Sequence, residues 1–218
     1  MKRHWFFEAV SISIVFAGVT QATLITADAD GYENGQDISD LFGGIALSAI
    51  GRAVGLDGRV YAYPDPLATT GAKVFGHNLS NHTEWYFDGY PESYHHPADF
   101  ALRIDFLNRA RMISIDTVCD SEFDIAQMVA YDRQGTVLES IWSYPGHLMS
   151  YGDIWTARIT SESYDIAYVI VGGFYGNMAH AVVLDNLTAD VIPEPATVLM
   201  LGLGGMMLLR RKSFTRRR

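Results

Sequence analysis

The sequence predicts an all-β protein, an antiparallel β-sandwich of jelly-roll type, on three observations. Short apolar runs recur at close intervals along residues 100–189, each bounded by Gly, Asn, Asp or Ser. One of them, "FALRIDFL", alternates apolar and polar residues with period two. No long amphipathic helical period interrupts the series, and about 170 residues suit eight or so strands with a few long loops.

The first element is an export signal. Lys2 and Arg3 form a short positive region, residues 9–19 are apolar with small residues among them, and "VTQA" places Ala22 just before a cleavage point. That order is the plan of a secretory signal peptide over residues 1–22. The alternative, a buried first helix, sits poorly with the polar "TADADGYENGQD" that follows at once.

The exported body spans residues 23–190. "DISDLFGGIALSAIG" is expected to open as a short helical turn capped by Asp37 or Ser39, its glycines resisting anything longer. "NLSNHTEWYFDGYPESYHHPADF" reads as a long loop. "FALRIDFL" then puts Phe100, Leu102, Ile104 and Phe106 on one face, with Arg103 and Asp105 on the other. "IAQMVAYD" and "TVLESIW" flank the polar turn "RQG" as a hairpin. "IWTARIT", "DIAYVIVGGF" and "HAVVLDNLT" complete the run, and "IAYVIV", apolar on both sides, is the expected central strand. Cys119 is the single cysteine, so no intramolecular disulfide exists, and its setting suits a small buried strand-end residue.

Charge narrows the function classes. Residues 23–190 hold 8 Lys and Arg against 23 Asp and Glu, a net charge of −15. A body this acidic lacks the basic footprint that nucleic-acid binding requires. The remaining cations stand at the two ends, where they read as topology signals.

Catalytic motifs are scarce. His77 and His82, the pair His95 and His96, then His147 and His180 show no helical i, i+4 spacing with a following Glu, so a zincin motif is absent. There is no Gly-x-Ser-x-Gly elbow and no Gly-Lys-Ser/Thr phosphate loop. A glycosidase needs two flanking carboxylates, and nothing in the sequence singles out a pair. Aromatic residues make the better case. Trp85, Tyr86 and Tyr90 crowd one stretch, and Trp142, Tyr151 and Trp155 crowd a second. Flat aromatic faces with a few polar anchors suit sugar C–H patches and hydroxyls, so these six are the expected ligand-binding residues. The alternative is that several of them fill the sandwich core.

The tail is the most specific feature. Residues 196–209 are 14 apolar or glycine residues, about 21 Å as a helix and short of the roughly 20 residues a comfortable transmembrane helix uses. Pro193 and Pro195 hold the chain extended around Glu194, and a basic cluster closes the segment over residues 210–218. The basic cluster is expected on the cytoplasmic side. Pro193-Glu194-Pro195, the glycine-containing apolar run and the closing arginines together resemble the PEP-CTERM sorting signal of Gram-negative bacteria, here residues 191–218. The resemblance implies export through the general secretion machinery and transient anchoring in the inner membrane by residues 196–209. It further implies processing by exosortase near Pro193, Glu194 and Pro195. Delivery to the cell surface or extracellular matrix, in association with exopolysaccharide, would follow.

The body is similar, more loosely, to the galactose-binding-like jelly rolls, through "DADGYENGQDIS" near the mature start and "VVLDNLTAD" before the tail. That likeness implies that the two chain ends meet and can hold a structural calcium, with Asp28, Asp30 and Asp185 as oxygen ligands. A solvated Asp-rich loop and an Asx-turn at Asp185 are the alternative. The expectation is a non-enzymatic, exported protein that adheres to or binds extracellular polysaccharide. A secreted polysaccharide hydrolase and a purely structural matrix component are the competing readings.

Overall fold

Twenty consecutive residues, Phe100–Cys119, form one strand, and four of the other ten strands pair with it. A computed structural model of the chain describes residues 22–80, 82–85, 100–121, 125–143, 150–173 and 181–192. Residues 1–21 of the expected signal peptide, Tyr86, Tyr90 and the whole tail segment from Pro193, Glu194 and Pro195 onward lie outside the described residues.

Eleven strands make up the described fold, with no helix among them. They are β1 (Thr23–Ala27), β2 (Gln36–Asp37), β3 (Ile45–Gly51), β4 (Tyr61–Pro64), β5 (Lys73–Gly76) and β6 (Phe100–Cys119). β7 (Ala126–Tyr131), β8 (Val137–Trp142), β9 (Ile154–Thr160), β10 (Ile166–Gly173) and β11 (Val182–Val191) follow. Every ladder is antiparallel, and only β4–β5 and β7–β8 join strands that are consecutive in sequence. The chain therefore crosses back and forth between layers, and the fold is an antiparallel β-sandwich, as the sequence predicts.

β6 belongs to both layers. At about 3.3 Å per residue it would run about 65 Å if straight, whereas a domain of this size has a radius of gyration of only about 15 Å. The strand must bend, and the ladders show where. Its first half pairs with β3 and β10, Ile104 facing both Leu47 and Val169. Its second half pairs with β9 and β11, Ile113 facing both Ile159 and Ala189. Between them the ladder to β10 jumps from Asp105↔Tyr168 to Ala110↔Ile166, so that four residues of β6 stand against one of β10. A bulge of this kind bends a strand and re-aims its side chains. The backbone released at the bend finds other partners. Leu107 donates to Gly44 O at 3.1 Å, and Arg109 O accepts from Ile192 at 3.0 Å.

Alternation then sorts the faces. Ile45, Leu47, Leu102, Ile104, Phe106, Met128, Ala130, Val169 and Val171 turn inward, against Ile113, Ile115, Ala157, Ile159, Leu187 and Ala189 from the other layer. β10 lies between β6 and β7, the central place that its two-sided apolar sequence predicts. The β7–β8 hairpin forms as expected, its turn held by the Asp132 carboxylate, which accepts from the amides of Gln134 and Thr136 at 2.8 Å each. Cys119 ends β6 and is buried.

One element differs from expectation. The helical turn opening "DISDLFGGIALSAIG" does not form. The Asp37 carboxylate accepts from the amide and hydroxyl of Ser39 at 3.0 and 2.7 Å, Gly44 adopts a left-handed φ of 88°, and Ile45 onward alternates as β3. Ile45, Leu47 and Ala49 already carry the period-two signal, and it prevails over capping chemistry.

The link from β4 to β5 crosses the outer face of the second layer, where Leu67 and Ala68 cover Val74, Val118 and Val183. One buried carboxylate fastens it. Asp185 Oδ2 accepts from the amide and hydroxyl of Thr69 (2.8 and 3.0 Å) and from those of Thr70 (2.9 and 3.1 Å), while Oδ1 accepts from Asn186 N at 2.8 Å. Asp116 stands beside it, accepting from Thr69 Oγ1, Thr156 Oγ1 and Asn186 Nδ2. Replacing Asp185 by Ala strands two amides of this strap in a buried setting. The expected loss is about 2 kcal/mol or more, read as a lower urea midpoint with an unchanged slope.

Candidate functional site

The outer face of the first layer gathers aromatic and charged side chains by register alone. One row across the sheet reads Ala46, Asp105, Tyr168, Tyr131. The next reads Ser48, Arg103, Ile170, Val129, Ser140. Gln127 and Trp142 pair in a third. These residues point away from the main core and form a cluster of their own, in which Ala101, Val129, Tyr131 and Ile170 are flanked by Ile50, Trp142 and Tyr168.

Two contacts organise this face. The Arg103 guanidinium lies over the Tyr168 ring, 3.9 Å from its centroid, and Tyr168 stacks on Tyr131 with centroids 4.7 Å apart and planes 10° from parallel. Arg103 also forms a two-pronged bond to Asp105, Nε to Oδ2 at 2.8 Å and Nη2 to Oδ1 at 2.7 Å. The planar fork suits both at once, stacking with its face and bonding with its edge. Burial pushes the Tyr168 phenol above its ordinary range while the Arg103 charge opposes the rise, so the hydroxyl stays protonated and able to donate at neutral pH. Around this stack, Ile50, Gly51, Arg52 and Ile170 complete an open hollow of about 380 Å³. Its apolar floor and charged rim can lodge a ring with hydroxyl or carboxylate substituents.

The expected aromatic residues divide between other places. Trp85 is fully buried, its indole N–H donating to Phe75 O at 2.8 Å and its backbone bridging Val182, so it is a core residue and offers no ligand surface. Trp155 packs partly buried against the main core. Tyr151 is 63% exposed in the turn before β9. Of the four that are described, Trp142 alone lies on the outer face of the first layer. Tyr131, Tyr168 and Arg103 were not singled out as binding residues by sequence. The available signal was alternation, which puts Arg103 outward, but only the ladder register brings the two tyrosines beside it.

A second hollow, of about 470 Å³, opens beside Asn34, Tyr63, Ser80, His82 and Glu84, with Tyr63 stacked on His82 at 4.6 Å. Beneath it His77 is buried against Trp85 and Phe100. Its Nδ1 accepts from Leu79 N at 3.2 Å, so Nε2 carries the proton and donates to Glu84 O at 2.9 Å. Both ring nitrogens are committed to the fold, which removes His77 as a metal ligand.

The chain ends do meet. β1 pairs with β11, Ala27 facing Leu187, which sets Asp28 in the electrostatic reach of both Asp30 and Asp185. Burial, and then those two charges, raise the Asp28 carboxyl above its ordinary value, although the amide of Asp30 bonds to it. The other two carboxylates hold protein donors. Asp30 Oδ1 accepts from Ala72 N and Lys73 N at 2.7 and 2.9 Å, and Asp185 holds the Thr69–Thr70 strap. Among the described residues no group of three or more His, Cys, Asp or Glu side chains is arranged to hold a metal ion.

No known protein family matches the chain, and no curated protein matches it. Among solved structures, the chain is similar to the enzymatically active domain of tailspike protein 4 of bacteriophage CBA120. The identity is 10% and the TM-score 0.38, over 75% of this chain and 22% of that one. The chain thus spans under a quarter of the tailspike chain's length, and a likeness this distant carries no argument about function.

The buried neutral His77 makes stability pH-dependent. Burial lowers its pKa below the ordinary 6.5. The unfolded chain therefore takes up a proton near that pH while the folded one resists, so stability is full above 6.5 and falls as the pH drops below it. Thermal melts between pH 7.5 and 5 should show this decline, and His77→Gln should flatten it.

Proposed function

We propose that this chain is an exported, non-enzymatic β-sandwich protein of the cell surface or extracellular matrix. It is delivered through the general secretion machinery, held in the inner membrane by residues 196–209 and processed by exosortase. There it binds extracellular polysaccharide through the outer face of its first layer. The observation that carries the binding reading is the Arg103–Tyr168–Tyr131 stack lining an open hollow. Open, shallow sites with aromatic walls and a few fixed hydrogen-bonding groups suit polymeric sugars, whose chain must run past the site on both sides. The fixed groups are the Arg103–Asp105 fork and the Tyr168 hydroxyl. The strongly acidic body agrees with a solvated, secreted protein.

Two experiments test the two halves of this reading. Residues 23–192 applied to a glycan array or an affinity gel should be retained by polysaccharide. Tyr168→Ala and Arg103→Ala should each weaken retention about tenfold, the equivalent of 1.4 kcal/mol, while still melting cooperatively. Equal retention of both variants would move the site elsewhere. For sorting, cells lacking exosortase should hold the unprocessed chain in the membrane fraction, and normal release from such cells would sink that half of the reading.

A further inference from the structure

The bend of β6 lies beside the end of β11, and the surface there differs from the rest of the body. Ile192, the last described residue, bonds through its amide to Arg109 O and through its carbonyl to Asn108 Nδ2. Around this exit stand Leu24, 65% exposed, which faces Asp190 in the ladder, and Leu107, 60% exposed, at the bend itself. Leu107 donates to Gly44 O, and an added Cβ on Gly44 would meet Ile25 and Val191, so these segments form one end of the molecule. Leu41, in the turn just before Gly44, is 47% exposed.

Three of the eight cations of the body collect at the same end. Arg109 and Arg111 flank Ala110, and Arg133, in the β7–β8 turn, donates to Asn108 O at 3.1 Å. Acids share this end, Asp40, Asp132 and Glu162 among them, and two more are answered locally. Asp190 pairs with Arg111 at 2.8 Å, and Asp165 is held by Ser163 and lies in the field of Arg109. Exposed leucines beside arginines, on a body of net charge −15, are an unusual local composition.

Position names the occupant. Three residues separate Ile192 from Ala196, the start of the apolar run, so at most about 14 Å of extended chain can lie between them. Whatever surface Ala196 enters, this end of the sandwich is held against it. We infer that the β6 bend end is a membrane-docking face, on which Leu24, Leu41 and Leu107 enter the headgroup region of an anionic phospholipid leaflet and Arg109, Arg111 and Arg133 meet its phosphates. Interfacial apolar side chains and basic residues near an anionic surface each add to such binding. The inference rests on the reading that residues 196–209 occupy the membrane.

The test uses the chain with its tail, reconstituted into phosphatidylglycerol vesicles containing brominated lipid. Single cysteines at Leu24→Cys and Leu107→Cys carry an environment-sensitive fluorophore, with Val54→Cys and Ile154→Cys as controls. Val54 follows the end of β3 remote from the bend, and Ile154 faces Val118 near the far end of β6. All four positions are exposed, and the buried native Cys119 supplies a low background. Loss of fluorescence at the two leucine positions but not at the controls, lessened by salt and in phosphatidylcholine vesicles, is the expected result. Co-flotation with equal signals at all four positions overturns docking alone. Failure to float overturns both docking and the membrane role of the tail.

Discussion

The bend in β6 is the constraint on which the rest of the molecule depends. A strand three to four times longer than usual can stay in a small domain only by serving two sheets in turn. Once it bends at residues 106–109, β3 and β10 must dress its first half and β9 and β11 its second. The crossovers between layers then follow, because chain-adjacent strands are sent to opposite halves of the same spine. The bend also leaves backbone groups that the ladders cannot reach. Gly44, Ile192 and Arg133 take them up, which ties the start of β3, the end of β11 and the β7–β8 turn to one corner.

Away from that corner the layers are closed by polar chemistry. Asp185 and Asp116 sit on the outward side of the second layer, yet both are buried, because the strap between β4 and β5 folds over them. A buried carboxylate is costly unless its lone pairs are filled, and here protein amides and hydroxyls fill them. The outer face of the first layer is handled in another way. Its charge is neutralised in place by the Arg103–Asp105 fork, and its aromatic rings stack on each other and on the guanidinium, with no strap over them among the described residues. The two outer faces thus divide the work, one sealed for stability and the other left open around a hollow.

Period-two alternation made much of the fold legible. "FALRIDFL" showed both the strand and which side of it would be buried, and "IAYVIV" showed the central position. The continuation of β6 through "NRAR" was not legible, because four polar or small residues in a row read as a turn, and only flanking ladders on both sides make them a bulge within one strand. Aromatic crowding misled for a physical reason. Local abundance of Trp and Tyr reports apolar surface without saying whether the fold covers it, and Trp85 is covered completely. Tyr131 and Tyr168 are 37 positions apart and meet only because β10 pairs with β7 in one register. The Asp185 strap is similar: the Asp-Asn pair stood out in sequence, but its donors lie 115 and 116 residues away.

On the proposed reading the two surfaces adjoin along the first half of β6, with β3 beside them. That strand runs from Ile45, opposite Phe106 at the bend, to Gly51, opposite Phe100. Gly51 and Arg52 rim the hollow on the side remote from the bend, while Tyr131 and Tyr168, which pairs with Asp105, rim it on the side next to the bend. If the bend end rests on a leaflet, the hollow opens sideways, with Tyr131 and Tyr168 on its lipid-proximal side and Gly51 and Arg52 on its far side. On the proposed reading the chain then engages polysaccharide in the same orientation before and after processing. On that same reading, cleavage near Pro-Glu-Pro would change what holds the body in place and would uncover the Tyr131 side of the hollow without changing the hollow itself.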